Sequence, residues 1–85
     1  MSDYPPRSSE RKAQDYFAMG HSVELIDVIR TDAEYNENLS AQELKDTVAR
    51  NVEHLEVMVA LDDWGSEDMT ASKAAITNGK AYIAS

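Results

Sequence analysis

Hydrophobic residues recur at helical spacing in the middle of the 85-residue sequence, from Leu39 onward. Ser40 and Glu43 have the spacing of a capping box, and Leu39 and Leu44 that of a hydrophobic staple. At about 100° per residue, six apolar side chains fall on one arc about a third of the circumference wide: Leu44, Val48, Val52, Leu55, Met58 and Val59. The pattern predicts an amphipathic helix over residues 41–62 that buries this arc in a core.

A second row on the same helix lies outside that arc and consists of Arg50, His54, Val57 and Leu61. A helix with a single buried face would carry only polar residues at these positions. One interpretation is that neighbouring helices cover this helix on two sides, since wide apolar arcs are typical of buried helices. The alternative is that the second row forms a surface for a partner or for self-association.

The first half of the chain is predicted to contain two helices. Ser8 or Ser9 can cap the first, over residues 9–19, and Gly20 then marks a break before the second, over residues 22–33. The alternative is one continuous helix, because a glycine inside a helix costs only about 1 kcal/mol relative to alanine.

The last predicted helix covers residues 67–83, with Ser66 as its cap. Its apolar face carries the small residues Ser72, Ala75 and Gly79, which indicates close approach to another helix. The alternative is that Asn78 and Gly79 end the helix early. The patterns together predict an all-α fold, a small bundle of three to four helices, with oligomerisation as a means of completing it.

The beginning of the chain differs from the rest. Pro5 and Pro6 exclude a helix there, so residues 1–8 are expected to form a flexible arm and residues 9–85 a single helical domain. A chain of this length buries only about 60–65% of its unfolded surface, and oligomerisation is a common remedy for such small cores.

The formal net charge is −8, from 16 acidic and 8 basic residues. Nucleic-acid backbones are negatively charged and bind positively charged surfaces, so we expect no nucleic-acid partner. The negative charge instead favours a basic protein partner or keeps the protein in solution. No apolar run approaches the about 18–20 residues of a membrane helix, and no leader opens the chain. We therefore expect no membrane partner and a cytoplasmic location.

The residues that carry chemistry are few and scattered. With no cysteine, disulfides, thiolate metal ligands and a cysteine nucleophile are excluded. The acidic turn over residues 62–68 fails the EF-hand pattern, which needs a glycine at its sixth position and a glutamate at its twelfth. The two histidines, His21 and His54, lie on separate elements and match no metal motif. The sequence thus predicts no metal, no cofactor, no catalytic residue and no enzymatic activity.

Trp64 is the lone tryptophan, between two acidic residues and Gly65. One interpretation places it as a lid over the seam between the last two helices, because a tryptophan buries a large area. The other makes it an exposed anchor for a partner, since tryptophan is enriched among binding hot spots.

The segment from Arg50 onward resembles the ends of small proteins of unknown activity that tailed bacteriophages carry, marine cyanophages among them. Three motifs carry the resemblance: HLEVM, WxSEDMT and AAITNGKAY. They cover less than half of the chain. The resemblance implies a phage or prophage origin, with the protein in the host cytoplasm or in the virion, and it implies no activity and no functional residues.

These observations lead to two functional hypotheses. The first is a non-enzymatic helical interaction or structural module, in the setting of a phage accessory or virion-associated protein, that binds itself or a larger assembly. Its candidate surface consists of Arg50, His54, Val57, Leu61 and Trp64. The alternative is an acidic inhibitor that binds a basic, nucleic-acid-binding surface of a host protein.

Overall fold

The computed structural model describes residues 7–85, and those residues form three long helices and one short helical turn. The elements are α1 (Ser9–Thr31), α2 (Ala33–Asn36), α3 (Ala41–Ala60) and α4 (Thr70–Ala84). The predicted all-α class is confirmed for this part of the chain. Residues 1–6, most of the predicted arm, lie outside the described residues.

The three long helices pack against one another, each in contact with the other two. The Tyr16 hydroxyl donates to the Asp68 carbonyl at 2.8 Å, which brings the first half of α1 to the start of α4. Lys45 Nζ donates to the Ser85 carbonyl at 2.5 Å, which brings the start of α3 to the end of α4. The helices therefore run up, down and up, in a body of 42 × 22 × 19 Å.

Helix α1 continues through residues 20–22, so the predicted division into helices 9–19 and 22–33 is wrong. Its buried residues are Met19, Ser22, Ile26 and Ile29. They lie three or four residues apart and form one stripe across the expected break, and packing along this stripe holds the helix together. Gly20 is exposed, and the only consequence of its lack of a Cβ is the small propensity cost. The alternative of a single helix is confirmed.

The N-termini of α1 and α3 are capped by serine side chains, as the sequence predicts. The Ser8 hydroxyl accepts from the Arg11 amide at 3.1 Å at the start of α1. In α3 the Ser40 hydroxyl accepts from the Glu43 amide at 3.1 Å, while the Glu43 carboxylate accepts from the Ser40 amide at 3.3 Å. This reciprocal pair confirms the capping box.

Helix α4 begins at Thr70, three residues later than predicted, and Ser66 is exposed and does not cap it. The reason is that the chain after α3 first crosses the end of the bundle to bury Trp64, which is 8% exposed. The Asp68 carboxylate then accepts from the Thr70 amide at 2.9 Å. The N-cap residue of α4 is Met69, which makes no side-chain cap hydrogen bond, so the first amide of the helix is held by the residue before the cap.

The face of α4 toward α3 is built from small residues, as predicted. Ser72, Ala75 and Gly79 are its buried residues. A Cβ added at Gly79 would overlap a methyl group of Val52 and would lie 3.2 Å from Cγ1 of Val48. The predicted close approach of α4 to the central helix is confirmed, and the alternative that the helix ends at Asn78 and Gly79 is wrong.

Candidate interaction surface

The arc of α3 that was predicted to be buried faces α1 and α4. Four of its residues are buried: Leu44, Val48, Val52 and Leu55. Met58 and Val59, in the last turn, are half-buried and pack against this core. The sequence therefore predicted correctly which side of α3 meets the rest of the bundle.

The second row lies on the outward flank of α3. Val57 is 52% exposed and Leu61 is 38% exposed, while Arg50 is exposed and His54 is half-buried. Successive members are four, three and four residues apart, which is the spacing of the seam in a coiled coil. The described part of the chain thus carries a short helical seam that no other described helix covers at Val57.

His54 lies at the centre of this row, and its Nε2 atom is buried. Nε2 has no hydrogen-bond partner among the described residues. A buried polar atom without a partner costs about 1–3 kcal/mol. Arg50, Glu53, His54, Val57 and Met58 line a shallow groove around the imidazole. The groove offers aliphatic side chains that a docked polypeptide can cover, while the His54 nitrogen lies beneath its surface.

Arg50 leaves most of its hydrogen-bonding capacity free toward the outside. Within the described chain its guanidinium donates to the Thr47 hydroxyl at 3.2 Å, a neighbour on the same helix. A guanidinium carries five N–H donors in a planar fork, so further donors remain for a carboxylate. The second row therefore begins with a positive charge.

Trp64, the fifth residue of the candidate surface, lies in the core and is separate from the second row. Its indole N–H donates to the Met58 carbonyl at 2.8 Å, and its ring centroid is 6.0 Å from that of Tyr16. The Arg7 guanidinium covers the ring at 4.5 Å. Trp64 is thus buried, as the first of the two interpretations expected, but it packs against α1 and the end of α3, whereas the lid was predicted over the seam between the last two helices. Four residues remain in the candidate surface.

Arg7 connects the start of the described chain to the loop between α3 and α4. Its guanidinium forms ion pairs with Asp15, at 2.6 Å, and with Asp63. The Arg7 hydrogen bond is the main reason that the pKa of Asp15 is lowered from its usual range, with Arg11 adding to the effect. Arg7 and Ser8 belong to the predicted arm, but Arg7 forms these ion pairs and Ser8 caps α1.

The acidic turn over residues 62–68 is organised by hydrogen bonds within the protein. Asp63 is paired with Arg7, and the Thr70 hydroxyl and amide lower the pKa of Asp68. α3 ends at Ala60 with Leu61 as its C-cap, two residues before the predicted end, and the exposed Asp62 beyond it adopts a positive φ of 51°. Across residues 7–85, no group of three histidine, aspartate or glutamate side chains is arranged to hold a metal ion.

Sequence reasoning missed one exposed aromatic residue and two members of the groove. Phe17 is 70% exposed on α1 and meets His21 edge-on, with ring centroids 4.7 Å apart. Its angular position opposite Met19 and Ile26 is the signal that identifies it once α1 is treated as one helix. Glu53 and Met58 flank the second row, although Met58 also belongs to the arc that was predicted to be buried.

The described residues form a small all-α bundle in which the second row of α3 is partly exposed. No helix in the described residues is both long and apolar enough to cross a membrane. Comparison of the chain with protein-family models, with curated proteins and with solved structures found no match.

Proposed function

We propose that this protein is a non-catalytic helical module that binds another protein through the second row of α3. The observation that carries the proposal is the exposure of Val57 and Leu61 on one flank of α3. Covering the two aliphatic side chains stabilises a complex by about 25 cal/mol per Å² of apolar area removed from water.

The kind of partner follows from the shape of the surface. A seam with coiled-coil spacing accepts the face of another helix, because side chains repeating every three to four residues interdigitate along it. Arg50 at its start favours a partner helix that carries a carboxylate at the matching end. The partner is therefore an amphipathic helix of a protein.

The setting of the interaction is part of the proposal. The resemblance of the segment from Arg50 onward to proteins of tailed bacteriophages supports a phage accessory or virion-associated role, in the host cytoplasm or on the particle. The partner would then be a second copy of this chain or a component of a larger assembly.

A second candidate function, inhibition of a basic surface on a host protein, is favoured by the exposed carboxylates. The chain has a net charge of −8, and exposed carboxylates lie on α1, on α3 and in the loop before α4, for example at Glu24, Glu53 and Glu67. The two candidates differ in their response to salt. Binding to a basic surface weakens strongly as ionic strength rises, because the charges are screened over about 8–10 Å. Binding through Val57 and Leu61 changes little over the same range.

The proposal is tested by placing a photoreactive amino acid at position 57 of the full chain and irradiating the cells that produce it. The control carries the same amino acid at position 49, because Ala49 is also exposed on α3 but lies outside the second row. We expect protein adducts from position 57 well above those from position 49. Equal adduct yields at both positions would refute a docking role for this surface.

A further inference from the structure

Asn78 and Gly79 form the only asparagine–glycine pair of the sequence, in the second half of α4. Asn78 is exposed, whereas Gly79 is buried against α3. We propose that this pair is a site of spontaneous deamidation, that the folded bundle masks it, and that it reacts when α4 separates from α3. The reacting groups are the side-chain amide of Asn78 and the backbone nitrogen of Gly79.

The reaction is intramolecular and consumes only water. The Gly79 nitrogen attacks the side-chain carbonyl carbon of Asn78, and a new C–N bond closes a five-membered succinimide ring. The side-chain nitrogen leaves as ammonia, with the proton that the Gly79 amide loses. Water then opens the ring at either of its two carbonyl groups, which gives aspartate or isoaspartate. The net change is an amide and water to a carboxylate and ammonium, so no oxidant or reductant is required.

The residue that follows each asparagine makes position 78 the reactive one. A side chain on that residue hinders attack by its backbone nitrogen, and glycine has no side chain and the widest range of backbone angles. The other three asparagines, at positions 36, 38 and 51, precede Glu37, Leu39 and Val52. Of the four, only Asn78 therefore precedes an unhindered nitrogen.

The helix blocks the reaction in the folded chain. Asn78 and Gly79 both lie inside α4, where each N–H donates to the carbonyl four residues earlier. Closing the succinimide ring requires Asn78 to leave its helical ψ of about −42°, and it requires the Gly79 nitrogen to give up its hydrogen bond. The pair can react only after this part of α4 has lost its helical geometry.

The packing of Gly79 makes that loss a movement of α4 away from α3. A Cβ built on Gly79 would overlap a methyl group of Val52 and lie 3.2 Å from Cγ1 of Val48, so the two backbones are held close together. The next residue, Lys80, forms an ion pair with Glu56 of α3 at 2.7 Å. Deamidation at position 78 therefore reports separation of α4 from α3.

The two products differ in their fit to the bundle. Aspartate keeps the length of the backbone, so α4 re-forms with one more negative charge on its exposed side. Isoaspartate adds a methylene group to the main chain, which shifts the hydrogen bonds across position 78 and displaces Gly79 from Val52. A chain that opens and forms isoaspartate does not return to the bundle, and opening becomes irreversible.

Mass spectrometry of the full chain measures the reaction, because exchange of an NH2 group for a hydroxyl raises the mass, and peptide mapping locates the change. The chain is incubated at neutral pH, in buffer and in concentrated guanidinium chloride. Modification of Asn78 is expected to be at least about tenfold slower in buffer, because the open form that reacts is a minor population. Equal rates in the two solutions would overturn the masking by the fold. In denaturant, modification of the other asparagines as fast as Asn78 would overturn the assignment of the site.

Val52→Ala tests the link to separation of the two helices. The variant removes methyl groups that pack on Gly79, so it is expected to raise the rate in buffer at least about fivefold, through a loss of core packing. Low, sub-denaturing concentrations of guanidinium chloride raise the population of the open form without a substitution and should do the same. Circular dichroism verifies that each sample is still helical. A rate that neither change raises would overturn the dependence on opening.

Return of the denatured, partly modified chain to buffer tests the irreversible step. Size-exclusion chromatography then separates the refolded bundle from chains that do not refold. Unmodified chains and chains with aspartate at position 78 are expected in the refolded fraction, and chains with isoaspartate in the other. Isoaspartate at equal abundance in both fractions would overturn the proposed irreversibility.

Discussion

Replacing Gly79 with alanine sets two effects of opposite sign against each other. Alanine is favoured over glycine inside a helix by about 1 kcal/mol, so helix propensity alone predicts stabilisation of α4. The new Cβ, however, would overlap a methyl group of Val52 and approach Val48 to 3.2 Å. Both valines are β-branched and lie on α3, where their χ1 angles have one strongly preferred value. Relief therefore requires α4 to move away from α3.

The magnitude follows from the cost of overpacking a well-packed core, which is about 1–3 kcal/mol for an added methylene-sized group. Overlap with a stiff side chain places Gly79 in the upper part of that range. After the propensity gain is subtracted, Gly79→Ala is expected to lower the free energy of unfolding by about 1–2 kcal/mol. For a domain of this size, each kcal/mol changes the melting temperature by about 4–8 °C.

Thermal unfolding followed by circular dichroism measures this effect, and Gly20→Ala is the matched control. Gly20 is also a helical glycine, but a Cβ there meets nothing within 4 Å, so its replacement should raise the melting temperature by about 4–8 °C. Adding Val52→Ala to Gly79→Ala removes the overlapping methyl groups, so the double variant should be more stable than the sum of the single effects predicts. If Gly79→Ala stabilises the protein as Gly20→Ala does, the close approach of α3 and α4 is refuted.

Three further predictions concern the ends of the bundle. Trp64→Ala should lower the free energy of unfolding by about 3–5 kcal/mol, as a large-to-small core replacement. Trp64→Phe should lower it less, because that change loses mainly the 2.8 Å hydrogen bond to the Met58 carbonyl. Equal, small losses of stability in denaturant titration would mean that Trp64 is not a core residue. Ser40→Ala should lower stability by about 1 kcal/mol through loss of the cap, and Ser66→Ala, which removes no cap, should change it little; similar effects would contradict the observed start of α4. Because the folded-state pKa of Asp15 is lowered, its contribution is complete above about pH 4 and is lost as the pH falls through that lowered value. The melting temperature should therefore fall less steeply toward pH 2 for Asp15→Asn than for the unmodified chain, and parallel profiles would contradict the role of the Arg7 ion pair.

The parts of the fold that the sequence predicts are those decided by neighbours along one helix. The capping box at Ser40 and the buried arc of α3 depend only on spacing within one or two turns, and both appear as expected. The small residues at three- and four-residue spacing up to Gly79 also indicate close helix packing from the sequence alone, and α3 does lie against this face. Local rules and tertiary packing agree at each of these places.

The parts that the sequence misses depend on contacts across the chain. Ser66 has the chemistry of a helix cap, but burial of Trp64 delays the start of α4 to Thr70, so Met69 becomes the N-cap and makes no side-chain cap hydrogen bond. Gly20 has the chemistry of a helix stop, but the buried stripe on either side of it continues the helix. In both cases burial of large apolar side chains, at about 1.5–3 kcal/mol each, outweighs a local preference of about 1 kcal/mol.

The continuity of α1 also decides the environment of the second row. Four separate helices, as the pattern first indicates, would supply a neighbour for each side of α3 and leave no free surface. With α1 unbroken, only two long helices remain to pack against α3, and both lie on the side of its buried arc. Leu55 and Val57 are about 200° apart around the helix, so a contact that buries the first leaves the second facing away. The exposure of Val57, on which the proposed docking function depends, is thus a consequence of the unbroken α1.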